Sequence, residues 1–207
     1  MTSLLARLLR CPKGVGAAEF AMVLPVLLLF LLGTIDVGRL MWMWNRAEKA
    51  TQFGARFAVV TDMVPSGLAT YSFATTGGLL QGSTVPETAF GGASCQSSGG
   101  SVSCTCHSGA TCPPLGTANT AAFTNILTRM QQMMPELTAA NVVVDYGYSG
   151  LGFAGDPNGS DVAPLVTVSL RNVQFTPVLL ELFGASISLP PSSSSMTLED
   201  GSGTTSN

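Results

Sequence analysis

Sixteen consecutive residues without a charge, Phe20 to Ile35, constrain this chain more than anything else in it. The run reads FAMVLPVLLLFLLGTI and follows three basic residues, Arg7, Arg10 and Lys13. As a helix rising about 1.5 Å per residue it covers roughly 24 Å, somewhat less than a hydrocarbon core of about 30 Å. Asp36 and Arg39 come next, one turn apart and spaced to pair. The helix can therefore continue to Met41-Trp42-Met43-Trp44, whose indoles suit a membrane–water boundary. The pattern predicts one long helix over residues 15–60, membrane-spanning first and amphipathic afterwards. Pro25 removes one backbone donor and leaves the Ala21 carbonyl without its usual partner, so a bend or local loosening is expected there. A secretory signal would have the same basic start, but Leu32-Gly33-Thr34-Ile35-Asp36 is a poor cleavage site, which favours a retained helix.

Charge is divided unevenly along the chain. Residues 1–56 hold seven basic and three acidic groups, net +4, whereas residues 57–207 hold two basic and nine acidic groups, net −7. The positive-inside tendency puts the start in the cytoplasm and the acidic bulk outside. An acidic outer part excludes nucleic-acid binding by charge, which needs a basic footprint. Charged residues make up only 10% of the chain, well below the usual quarter, as suits an exported surface protein better than a cytosolic enzyme.

Glu19 is the oddity of the span. A carboxylate at the mouth of an apolar run is costly and is a functional signal by default. It lies five residues beyond Gly14, with basic residues before the glycine and Phe20 directly after the acid. That G-x4-E-F arrangement resembles the cleavage site of type IV prepilins and pseudopilins. The wider segment resembles the TadE-like family of minor pilins from tight-adherence (Flp-type) pilus systems. Glu19-Phe20-Ala21, Leu24-Pro25, Gly33, Ile35-Asp36, Gly38-Arg39 and Gly54-Ala55-Arg56 all fall on its pattern.

The resemblance implies cleavage between Gly14 and Val15, with extended backbone before the helix giving the peptidase access. Glu19 would then lie near the new α-amine of Val15, where it could pair with the amine of a neighbouring subunit. Pro25, Asp36 and Arg39 are the further positions expected in subunit interaction. The implied partners are the major pilin, sister minor pilins, the prepilin peptidase, the inner-membrane assembly platform and membrane lipid. The implied location is the bacterial inner membrane, single-pass, with the N-terminus cytoplasmic and the C-terminal domain periplasmic or extracellular.

Beyond the helix the chain divides by composition. Residues 1–14 are a basic leader, 15–60 the helix, and 61–117 a Gly/Ser/Thr-rich region that reads as a long surface loop, with a short strand or helical turn in 68–80. Four cysteines fall in it: Cys95, Cys104, Cys106 and Cys112. An even number in an exported segment implies two disulfides. Cys104 and Cys106 are not expected to pair with each other, so Cys95 and Cys112 are each assigned to one of them. Residues 118–199 read as an α+β domain. Phe123, Ile126, Leu127, Met130 and Met134 give a helix over 118–137, capped by Thr117 or Asn119 and stopped by Pro135. Strands follow at 141–148 and 165–175, then a short apolar helix opened by Thr176-Pro177. Residues 187–189 and 193–199 are expected to pair as a hairpin, and residues 200–207 to form a disordered tail.

Other motifs carry less. Gly150-Leu151-Gly152-Phe153-Ala154-Gly155 fits G-x-G-x-x-G, but turn residues follow it where a dinucleotide site needs a helix. Asp156, Asn158, Ser160 and Asp161 lack the glycine and glutamate spacing of a calcium loop. Cys104, Cys106, His107 and Cys112 do not have a common zinc spacing. His107 is the single histidine, placed in the cysteine loop rather than beside an apolar strand end, and Ser149 lacks the G-x-S-x-G elbow. The reading is therefore an α+β protein on a long N-terminal transmembrane helix, with a small antiparallel sheet and short helices. The resemblance implies a structural, non-enzymatic minor pilin or pseudopilin, expected to need neither cofactor nor metal. The alternative is a signal-anchored binding module whose cysteine loop holds a ligand or zinc.

Overall fold

In the computed structural model, which describes residues 12–157, 159–181 and 184–205, helix α1 runs from Pro12 to Ala58, 47 residues. At about 1.5 Å per residue such a helix is about 70 Å long. It is helical throughout, Pro25 included, so the expected loosening at that residue does not interrupt it. The chain divides into two compact units, Met1–Met43 with Gln174–Ile187, and Trp44–Val173 with Ser188–Asn207.

The larger unit is built on a five-stranded antiparallel sheet in the order β2-β1-β3-β4-β7. Its strands are β1 (Gly92–Ser98), β2 (Ser101–Cys106), β3 (Val142–Gly147), β4 (Leu165–Leu170) and β7 (Ser192–Thr197). Period-two alternation sends Val142, Val144 and Tyr146 of β3 and Val166, Val168 and Leu170 of β4 to one buried face. That face is covered by α3 (Thr120–Gln131), through Phe123, Ile126 and Met130, and by the second part of α1. Asn119 caps α3, its side-chain oxygen accepting the Ala122 N–H at 3.0 Å, as one of the two expected caps.

Ala47, Ala50, Gly54 and Ala58 recur on the buried side of α1. A Cβ on Gly54 would lie 2.8 Å from Met130 Cγ and 3.2 Å from Val168 Cγ1. The small-residue stripe thus lets α1 close on its own domain.

Several expectations are corrected. Residues 61–117 are not one long loop. They hold α2 (Ser66–Thr70) and the β1–β2 hairpin, and β1 sits inside the sheet against β3. Only Ala93, Cys95 and Ser97 of β1 turn to the core, too small a set to read as a strand amid glycines and serines. The strand over 165–175 stops at Leu170. Asn172 takes a positive φ of 54° and turns the chain into the short β5 (Gln174–Phe175). The 187–199 hairpin does not form: β6 (Ile187–Ser188) pairs with β5, and β7 pairs with β4. Part of the expected tail is tied down, since the N–H of Asp62 donates to the Gly203 carbonyl at 2.8 Å and the N–H of Gly203 to Asp62 Oδ1 at 2.7 Å. Residues 1–11, with most of the basic leader, lie outside the described residues.

The smaller unit joins the first part of α1 to the 174–187 segment, which carries β5, β6 and the short helix α4 (Val178–Glu181).

Candidate functional site

The apolar run of α1 presents itself to its surroundings on all sides. Phe20, Met22, Val26 and Phe30 are each more than 60% exposed, which no soluble protein's core helix tolerates and a lipid-embedded one requires. This helix fits a single-pass membrane anchor. Gly14 and Val15 are already inside the helix, which begins at Pro12, rather than on extended backbone as expected. Glu19 and Phe20 follow one turn later and are exposed, and no described residue pairs with Glu19. Pro25 is exposed. At the other end of the run Trp42 is 70% exposed. Trp44 departs from the expected indole pair: its ring nitrogen is buried and has no hydrogen-bond partner among the described residues.

Asp36 is buried, unlike its exposed neighbours Ile35 and Val37. Its Oδ1 accepts the Val178 N–H at 2.9 Å and its Oδ2 the Leu179 N–H at 3.1 Å. Arg39 donates to the same carboxylate at 3.2 Å and rests its guanidinium 5.4 Å from the Phe175 ring centre. The first turn of α4 starts after Pro177, whose side chain has no oxygen to offer its free N–H groups. Asp36 supplies that cap from 142 residues away in the sequence. The Asp36–Arg39 pair was legible from its spacing. Val178, Leu179 and Phe175 were not, although a helix start without a capping residue of its own signals that an acceptor must come from elsewhere.

The cysteines form Cys95–Cys104 and Cys106–Cys112 bridges. Cys95 and Cys104 are directly opposed in the hairpin, with Cα atoms 4.1 Å apart. Cys104 and Cys106 share one face of β2, and each reaches a different partner. The four sulfurs are thus engaged with one another, and no group of three metal-ligating side chains occurs among the described residues.

His107 lies in the cysteine region and directly follows β2, a largely exposed strand of Ser, Thr and Cys. Its Nε2 lies 2.8 Å from Asp145 Oδ2 on β3. Its other nitrogen faces Gly92, where a Cβ would come within 2.5 Å of it. Gly92 has a φ of +118°, so glycine is needed twice over. With one nitrogen paired and the other against backbone, the ring serves as a clip between the hairpin end and β3.

The glycine-rich 150–155 stretch leads into a turn, not a helix. Asp161 organises it: Oδ2 accepts the N–H groups of Phe73 at 2.6 Å and Gly155 at 2.8 Å, and Oδ1 that of Asp156 at 3.0 Å. A carboxylate surrounded by N–H donors is satisfied as a loop anchor rather than as a cation ligand. Asn158 lies outside the described residues. Ser149 donates to the Ala163 carbonyl and accepts the Leu151 N–H, as a turn residue does.

Residues 14–56 match the family model described as TadE-like protein. No curated protein and no solved structure matches the chain.

Proposed function

We infer, with the TadE-like segment at residues 14–56 as premise, that the chain is a minor pilin or pseudopilin of a tight-adherence (Flp-type) pilus. The family is a pilus-associated structural one. What carries the reading to this chain is the coincidence of the matched segment with α1: the residues on the family pattern all lie on this helix, whose first part is the exposed apolar run with Glu19 near its start. Its role is to present that helix to the other helices of the assembly and to carry the sheet domain with it. The assembly partners are the major pilin, a sister minor pilin, the prepilin peptidase and the inner-membrane platform, and the sheet domain lies outside the inner membrane. Glu19 and Pro25 form the subunit-facing part of α1. Asp36 and Arg39 contribute indirectly, by holding the 174–187 segment on α1.

Cleavage after Gly14 would leave Val15 as the new N-terminus, with Glu19 one turn away on the same helix. Because Gly14 lies within the helix, the peptidase must unwind the first turn.

N-terminal sequencing of the chain recovered from a host with the assembly machinery tests the reading. The expected start is Val15, with α1 retained and Gly14→Leu left uncut. An intact leader in that host, or a start beyond Leu32, would overturn it.

A further inference from the structure

The 174–187 segment, QFTPVLLELFGASI, contains one charge, Glu181, in fourteen residues. A segment of this composition on a soluble domain would be expected to turn inward. Instead Val178 is 45% and Ile187 40% exposed. The segment belongs to the same compact unit as the apolar run of α1. Its register on α1 is fixed by four contacts. Val178 and Leu179 bond to Asp36, Phe175 lies under Arg39, and Leu179 Cδ1 lies 4.0 Å from where a Cβ on Gly33 would stand. All of these fall between Gly33 and Arg39, where the uncharged run ends and its first ion pair begins.

From these observations we propose that residues 174–187 are a second membrane-contacting element, laid into the acyl–headgroup boundary of the bilayer at the C-terminal end of the α1 span. The proposal rests on α1 spanning a membrane. With the hydrocarbon core covering the uncharged run, Asp36 and Arg39 lie at its edge, and α4 is bonded to that level. Ile35 and Val37, on either side of Asp36, and Val178 on α4 are all exposed at this level, and the solvent that suits such apolar side chains is lipid. Asp36 also resolves two costs of that depth together. The free N–H groups at the start of α4 need an acceptor where water is scarce, and the carboxylate needs donors in the same place. Glu181 ends α4 and is exposed, so its side chain can reach the headgroups.

The test uses the full chain with Cys11→Ser and its disulfides intact, reconstituted at low protein-to-lipid ratio in phosphatidylcholine–phosphatidylglycerol vesicles containing spin-labelled lipids as depth quenchers. One fluorophore is attached in turn through Leu29→Cys, Val37→Cys, Val178→Cys, Ile187→Cys and, as an aqueous reference, Thr105→Cys. The label at 178 should be quenched several-fold more than that at 105, at a depth within one helical turn, about 5.4 Å, of the label at 37. The label at 187 should also exceed the reference. Adding Asp36→Ala should bring quenching at 178 down toward the reference while leaving 29 unchanged. If 29 is quenched but 178 and 187 match the aqueous reference, α1 spans and the proposal is wrong, with a protein surface as the cover of this face. If 29 itself escapes the lipid quenchers, the membrane reading and the proposal fall together.

Discussion

The hydroxyl of Tyr146 accepts the backbone N–H of Val64 at 2.9 Å, joining the middle of the sheet to the chain just after α1. Both residues are fully buried. The bond places the polar tip of an otherwise apolar side chain where a backbone donor needs a partner.

Tyr146→Phe removes the acceptor and leaves the Val64 N–H buried without one. A loss of about 1–3 kcal/mol is expected, the usual cost of an orphaned buried donor. Urea unfolding of the detergent-solubilised chain, followed by near-ultraviolet circular dichroism, measures it. Burial also pushes the Tyr146 phenol well above its ordinary value. With the folded pKa raised, its contribution to stability is fully present below the unfolded-state pKa of about 10 and declines as pH rises beyond it. The native chain should therefore lose stability above about pH 10 more steeply than Tyr146→Phe. Parallel slopes would show that Tyr146 ionises freely.

Gly54 tests the close approach of α1 to its own domain. Helix propensity alone favours alanine there by about 1 kcal/mol. The added Cβ, however, would meet Met130 Cγ at 2.8 Å, Met130 Sδ at 2.9 Å and Val168 Cγ1 at 3.2 Å. Overpacking costs typically 1–3 kcal/mol and should win, so Gly54→Ala is expected to destabilise. Adding Met130→Ala should recover part of the loss, because the two residues meet and their effects couple. A neutral or stabilised Gly54→Ala would mean that Met130 moves aside freely.

The two disulfides should differ in consequence. Both close short loops, nine and six residues apart in sequence, for which the chain-entropy picture gives roughly 2–3 kcal/mol each. Cys95 is buried within the sheet, so Cys95→Ser with Cys104→Ser also puts a hydroxyl in the core and should lower the stability of the whole domain. Cys106→Ser with Cys112→Ser frees the segment holding His107 and should act locally. Amide exchange in 107–112 should rise while β3 and β4 stay protected. Equal global losses from the two pairs would contradict this division.

The long helix, the α3 cap at Asn119 and strands β3 and β4 were legible because each has a periodic apolar signal of its own. Strand β1 was hidden because its inward residues are Ala93, Cys95 and Ser97, and its pairing rests on backbone hydrogen bonds to β2 and β3. The pairing of β7 with β4 rather than with β6 is likewise a matter of backbone partners, which serine-rich strands leave open in sequence. Within the candidate site, Asp36 and Arg39 were readable from helical spacing. Their partners were not, since the bonds to Val178 and Leu179 use main-chain N–H groups that any residue except proline could supply.

Glu19 should matter to assembly more than to insertion or folding. It is exposed near the start of α1, and no described residue pairs with it. Folding of the sheet domain therefore gains nothing evident from it. An acid beside an apolar run makes insertion slightly harder, so Glu19→Val should insert as well as the native chain or better. If the carboxylate meets the new Val15 amine of a neighbouring subunit, its loss leaves that amine unpaired at the lipid boundary and disfavours docking. Glu19→Gln keeps the size and the hydrogen-bonding capacity without the charge, and should fall between native and Glu19→Val. Co-purification with other pilin subunits and a count of surface pili, at matched protein levels, measure the effect. Normal piliation and normal partner recovery in Glu19→Val would make this carboxylate a hydrated bystander, and would move the subunit contact of α1 to its apolar surface alone.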